Sequence, residues 1–155
     1  AILPLLTRGL SDVVVDLGSA LDPVRERALR RADTVVLVAN QDVMVLRAAA
    51  RRVPLLGQLG VPDDRVHLVL NRYDPGRVPD ALEVGRQLGL DVAATLGSDW
   101  PAVHAAQDHG HTVVEEQFDD GVGFDLRVLA ARLTGQPEPG RAKWWQRRKR
   151  RWEGV

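Results

Sequence analysis

Three stretches of this chain are apolar almost without interruption, and each halts on a polar residue. Val13-Val14-Val15 stops at Asp16, Val35-Val36-Leu37-Val38-Ala39 at Asn40, and Leu68-Val69-Leu70 at Asn71. A strand with one wet face alternates apolar and polar residues, whereas a strand covered on both faces does not. The runs are short and rich in β-branched residues, which suits strands. Residues 91–96 make a fourth, weaker run. Helix-forming segments separate the runs, so strand and helix alternate. That order predicts an α/β fold, a parallel sheet of about four strands flanked by helices and built by right-handed crossovers.

The helices are marked by their ends. Asp22-Pro23-Val24 places an N-cap ahead of a proline at the first helical position and predicts a helix to about residue 31, with Val24, Ala28 and Leu29 as its apolar stripe. A second helix is expected over 43–56, with Val43, Leu46, Ala50 and Val53 on one face and Pro54 kinking it or ending its first part. Others are expected over 79–88, closed by Gly89, over 100–109, capped by Asp99 and stopped at Gly110, and over 122–134. Residues 136–140 contain two prolines and a glycine and read as a linker. The expected division is an α/β domain over 1–135 and a linker with a tail over 136–155.

The chain has no cysteine, which excludes a disulfide framework and a thiolate metal site. No apolar run approaches the roughly 20 residues of a membrane span, and the start lacks the basic region of a secretory signal. A cytoplasmic setting is the expectation, with association at the inner membrane face as a further option. The first ten residues, without Met, read like the end of a helix already under way, so a piece of a longer protein is expected. The net charge of zero hides an asymmetry: residues 141–155 carry seven Lys and Arg against Glu153 alone, while the rest carries 14 basic and 20 acidic side chains. Lys143, Trp144, Trp145, Arg147, Arg148, Lys149, Arg150, Arg151 and Trp152 interleave basic and indole side chains. That mix suits an anionic membrane surface, single-stranded nucleic acid or a plain solvated extension.

In a parallel sheet all strand C-termini fall on one edge, where open α/β sheets bind ligands. Asp16, Asn40-Gln41-Asp42 and Asn71-Arg72-Tyr73-Asp74 would converge there. A buried carboxylate needs a cation or several donors, so Asp16 is either a metal-directed acid or a cap for the following helix. Three other groups have an ordinary reading beside the functional one. His104, His109 and His111 near Asp108 are metal ligands or exposed helix-end histidines. Glu115-Glu116 and Asp119-Asp120 read as a solvated acidic loop. Arg47, Arg51 and Arg52 form a DNA-touching or a solvated helix face.

Val-Val-Val-Asp16, the strand ending near Asn40, Leu-Val-Leu-Asn71-Arg72-Tyr73-Asp74 and the later Thr95-Leu96-Gly97-Ser98-Asp99…Val103…Ala106…Gly110 pattern together resemble the C-terminal part of the MinD/ParA family of deviant-Walker P-loop ATPases. The likeness is to the CpaE/TadZ-type members linked to pilus assembly and polar localisation, and it spans residues 11–133. The resemblance implies that Asp16 is the Walker B acid holding the hydration shell of Mg²⁺, that Asn71 contacts the adenine edge, and that Gly97, Ser98 and Asp99 flank the base. Arg72 and Asp74 lie in the same base-side run; Asp74 matches a guanine-reading acid of related GTPases, although this family is adenine-directed. It also implies an ATP-dependent dimer switch, with a second copy or the N-terminal half of the ATPase as partner, and DNA or an anionic membrane as further partners.

The chain departs from that family in two ways. The loop after Asp16 is Leu17-Gly18-Ser19-Ala20-Leu21-Asp22, and no glycine-rich phosphate loop with Lys-Ser/Thr occurs anywhere. ATP and Mg²⁺ are therefore expected only if a Walker A half is supplied, with no turnover by the chain alone. The alternative is a non-catalytic localisation module with the same scaffold and a membrane- or nucleic-acid-binding tail. A phosphate-receiver domain is disfavoured, because no lysine precedes Lys143. In related folds the phosphate-loop strand lies between the first two runs. Without it, the runs at 13–16 and 34–39 must pair directly or leave a gap with exposed backbone.

Overall fold

The structure is a computed structural model that describes residues 8–116 and 120–140. Its order is α1 (Pro23–Arg31), β1 (Val35–Asn40), α2 (Val43–Gln58), β2 (Val66–Tyr73), α3 (Ala81–Leu88), β3 (Val92–Gly97), α4 (Trp100–Asp108), α5 (Val113–Glu116) and α6 (Gly121–Thr134). The strands form a parallel sheet in the order β1-β2-β3. The register runs Val35 to Val66 through Asn40 to Asn71, and Leu68 to Val92 through Tyr73 to Gly97.

The middle strand shows why a continuous apolar run forms here. Val66, Leu68 and Leu70 of β2 join Val35, Ala39, Leu46, Ala49, Leu56, Val84 and Leu88 in the larger core cluster. Val69 points the other way and joins Ala94, Leu96 and Val122, with Leu126 and Leu129 of α6 packed against them. Successive side chains alternate between faces, so helices on both sides demand apolar residues at every position. Leu68 and Leu70 are wholly buried. The α/β architecture with helices flanking a parallel sheet is as expected.

The sheet has three strands among the described residues, not four. Residues 12–18 carry no regular structure, and Val14 is 96% exposed. A β-branched run becomes a strand only when a neighbouring edge takes its backbone hydrogen bonds, and no described strand lies beside this one. Of the two expected arrangements, direct pairing does not occur. Among the described residues no strand pairs with the outer edge of β1, and Val36 and Val38 are 38% and 55% exposed on the face turned away from the main core.

Two helices differ in detail. The second continues through the exposed Pro54 to Gln58. The carbonyl that the proline leaves unbonded belongs to exposed Ala50, which water can serve, so packing of Leu46, Ala49 and Leu56 holds the helix together. Its buried stripe is therefore rotated from the expected face: Val43 and Ala50 are exposed. The third helix starts at Ala81, not 79, because Asp80 caps it by accepting from the Glu83 amide at 2.8 Å. Expected caps hold at Asp22, which accepts from the Val24 and Arg25 amides, and at Asp99, which accepts from Ala102. Gly89 closes α3 at φ 67°.

Gly85 sits where α3 packs closely against the backbone leading into β3. A Cβ there would lie 2.8 Å from the Leu90 carbonyl oxygen and 3.3 Å from a Val92 methyl. Gly→Ala in a helix ordinarily stabilises by about 1 kcal/mol. Here the obstacle is backbone, which cannot swing aside, and overpacking costs about 1–3 kcal/mol. Gly85→Ala is expected to lower the urea midpoint; a higher midpoint would show that α3 can slide away from β3.

Candidate functional site

The loops after β1 and β2 meet because Asn40 and Asn71 are register partners, and the loop after β3 joins them through Tyr73 and Gly97. Gln41 locks the first two together. It is the buried polar residue of the core region, 5% exposed. Its Oε1 accepts from the Asp74 amide at 2.8 Å, and its Nε2 donates to the Pro79 carbonyl at 3.0 Å and the Arg77 carbonyl at 3.5 Å. A side-chain amide both donates and accepts, so one residue can satisfy both kinds of backbone group in a neighbouring loop. Asp42 caps α2 through the Met44 and Val45 amides, so the polar cluster after β1 is in part structural.

The second loop is tightly wound. Asn71 Oδ1 accepts from the Arg72 amide at 2.9 Å, and Arg72 sits at φ 52°, in the left-handed region. Asp74 Oδ1 accepts from the Gly76 amide at 2.9 Å, and its carbonyl accepts from Arg77. The Val78–Pro79 peptide is cis. Beyond β3, the Gly97 amide donates to Asp125 Oδ2 at 2.9 Å, which ties this loop to α6. Ser98 is exposed, and Asp99 caps α4.

Asp16 does not stand at a strand tip. It is exposed in the unstructured 12–18 segment, where Oδ1 accepts from the Gly18 amide at 2.8 Å. The cap of the following helix is Asp22, held below the usual carboxylate range chiefly by the Arg25 amide. At its exposed position the Asp16 carboxylate has no burial cost to offset. Glu115 and Glu116 are exposed, as the solvated reading expects, but they lie in α5 rather than in a loop, and Glu115 closes a capping box with Thr112. Its carboxylate accepts from the Thr112 amide at 2.7 Å and hydroxyl at 2.8 Å, and these bonds hold it below its usual range. Asp120 caps α6 in position, and Asp119 lies outside the described residues.

His104 pairs with Asp108 and His111 with Glu116, both at 3.0 Å and exposed. Among the described residues no group of three or more His, Asp or Glu side chains could hold a metal ion. Arg47 and Arg51 are exposed and Arg52 is half-buried. A groove of ≈ 460 Å³ runs between α2 and α3, lined by Val43, Leu46, Pro79 and Val84 among others. None of Asn71, Arg72, Asp74, Gly97, Ser98 and Asp99 lines it. The basic tail, Lys143 to Trp152, lies outside the described residues.

Sequence reasoning placed Gln41 at a strand end without its role as a clamp, and it missed Asp125 as a positioning residue. Their partners lie 28 to 38 positions away, and no local pattern marks those pairings.

No family model matches this chain, and no curated protein does. Solved structures do match, and they define its class: a ParA/MinD-like α/β fold. The ParA family ATPase from Chlorobium tepidum TLS aligns with a TM-score of 0.73 and 20% identity, over 85% of this chain and 53% of that one. The MinD cell division protein of Aquifex aeolicus aligns at 0.64 and 19%, over 76% and 50%. A chain of the MinC:MinD cell division protein complex of the same organism aligns at 0.63 and 19%, over 79% and 51%. The chain thus spans about half the length of the solved structures it matches. No helix among its described residues is long and apolar enough to cross a membrane.

Proposed function

We propose that this chain is the base-reading side of a MinD/ParA-like ATPase, of the CpaE/TadZ type, acting in positioning, partitioning or pilus and secretion assembly through an ATP-dependent dimer switch. The observation that carries the reading is the clamped meeting of the three strand-end loops, in a fold that superimposes on a ParA family ATPase. In this reading Asn71 contacts adenine, flanked by Arg72, Asp74, Gly97, Ser98 and Asp99. Amide and backbone groups that both donate and accept suit a purine edge.

The triphosphate is a different matter. A phosphate cradle needs successive backbone amides and a cation, and no lysine precedes Lys143. Among the described residues Asp16 is exposed and bonded to its own turn, and no group of three or more His, Asp or Glu side chains could hold a metal ion. No step is routed through Mg²⁺ here. Grip on the phosphates, and Asp16 as the acid near the metal, require a phosphate-binding half from another stretch of polypeptide. The chain alone then has no ATPase activity.

The second reading is a localisation module that keeps the scaffold without turnover. It is favoured by the Asn71 oxygen being engaged by the Arg72 amide and by the exposed position of Asp16. Its membrane or nucleic-acid partner would be met by the Lys143–Trp152 tail, at the inner membrane face in the first case.

Titration of the isotope-labelled chain with adenosine and with guanosine tests the base reading. Adenosine is expected to shift the amides of Asn71, Asp74 and Gly97 through Trp100, with or without Mg²⁺, and Asn71→Ala to remove the shifts. Equal responses to both nucleosides, or none, would sink the base-reading proposal and leave the localisation module.

A further inference from the structure

The groove between α2 and α3 takes no part in the base-side cluster. Its floor is Leu46, Val84 and Leu88, all buried in the main core. Its rims present apolar groups to water: Val43 is 58% exposed on α2, and Val78 is 85% exposed in the loop before α3. Gln41 holds that loop from beneath, through the Arg77 and Pro79 carbonyls on either side of Val78. The rim is therefore fixed before anything docks, which lowers the cost of binding. The stretch before β1 meets α2 at its other end, where Arg30 of α1 donates to the Leu59 carbonyl at 2.6 Å, whereas the groove takes Val43 to Ala50. The charges around it differ in how free they are. Arg47 lines the groove, Arg51 stands one turn further along α2, and Arg77 adjoins Val78. Among the described residues their guanidinium groups make no ion pair and no hydrogen bond. The acids beside them are engaged: Asp42 caps α2, Asp80 caps α3, and Glu83 accepts from Gln87 at 3.5 Å.

We propose that this groove docks an amphipathic helix of a second protein, one with an apolar stripe flanked by Glu or Asp. A helix suits it better than an added strand, which needs unpaired backbone to bond to. α2 and α3 have bonded their own backbone, and the loop carbonyls beside Val78 are taken by Gln41. Two neighbouring helices leave a furrow into which the side-chain ridge of a third settles. The stripe covers Val43 and Val78 and reaches Leu46 and Val84 on the floor, while the flanking acids meet Arg47 and Arg51. Charge selects the occupant, since like charges across an interface exclude the wrong partner. Residues 141–155 carry seven Lys and Arg against Glu153 alone, so the chain's own tail brings like charge to this rim.

Titration of the isotope-labelled full chain with stapled helical peptides of about 15 residues tests this. One peptide sets a leucine stripe between glutamates. A second keeps the stripe and replaces the glutamates with lysines, and a third keeps the glutamates but scatters the leucines. The first is expected to shift the amides of Val43, Arg47, Ala50, Glu83 and Gln87. It should bind about tenfold more tightly than the second, the size that a few exposed ion pairs supply. The third is expected not to bind. The double variant Arg47→Glu/Arg51→Glu changes two exposed side chains and should keep the circular dichroism spectrum while inverting the preference between the first two peptides. No binding, equal affinity for the first two peptides, or binding of the third overturns the proposal. So does a wild-type preference for the lysine peptide, which hands the groove to residues 141–155. The amides of Asn71 and Gly97 are expected to stay unmoved, so this result stands apart from that of the adenosine titration.

Discussion

Leu68→Ala is expected to cost about 2–5 kcal/mol, the range for truncating a fully buried leucine where the surroundings cannot collapse. Domains of this kind are stable by only about 5–15 kcal/mol in total, so the variant should be close to unfolding under mild conditions. Leu68 is 0% exposed, lies on the central strand between Leu37 and Val92, and belongs to the core that α2 and α3 close over. Strands on both sides and helices above leave little room for relaxation. Val36→Ala on the same sheet removes methyl groups already in contact with water and should move the urea midpoint far less. Equal shifts in the two variants would mean that β2 is not the centre of the fold.

Gln41→Leu is expected to be the most damaging polar substitution. The leucine fills nearly the same volume but offers nothing to the Asp74 amide or to the Pro79 and Arg77 carbonyls. A buried group left without its partner costs about 1–3 kcal/mol, and water can reach part of this loop, so a loss of about 2–3 kcal/mol is expected. The Asp74 amide should exchange with solvent much faster, while amides of β3 stay protected. Gln41→Glu gives a sharper test. It keeps an acceptor for Asp74 but turns a carboxylate toward two carbonyl oxygens. Burial and those oxygens raise the folded-state pKa of the new carboxyl above its unfolded value. The variant should then be relatively more stable at low pH, where the protonated acid donates, and lose that stability as pH rises through the folded-state pKa. A pH-independent difference from wild type would show that the loop simply opens around the new side chain.

The second of these predictions concerns a residue whose neighbours in sequence say nothing of its role, and the first concerns one whose neighbours say nearly everything. Leu68 lies in a run with apolar residues on both sides, and only a strand covered on both faces needs that pattern. The caps at Asp22 and Asp99 and the stop at Gly89 are equally local, since each acts on backbone groups within four residues. The alternation of strand and helix, these caps and the α/β class therefore follow from short-range chemistry. Asn71 and Asp74 could be placed at a strand's end for the same reason.

Pairing and facing are another kind of fact. Val13-Val14-Val15 is as apolar and β-branched as the start of β1 and yet forms no strand, because a strand exists only beside another edge. The buried stripe of α2 falls on Leu46, Ala49 and Leu56, since it is the sheet beneath that selects among several apolar positions. Gln41 became a clamp because the chain folded a loop 33 residues away onto it. Local sequence sets what each segment can be; long-range contacts, which carry most of the burial energy, decide which of those options is realised.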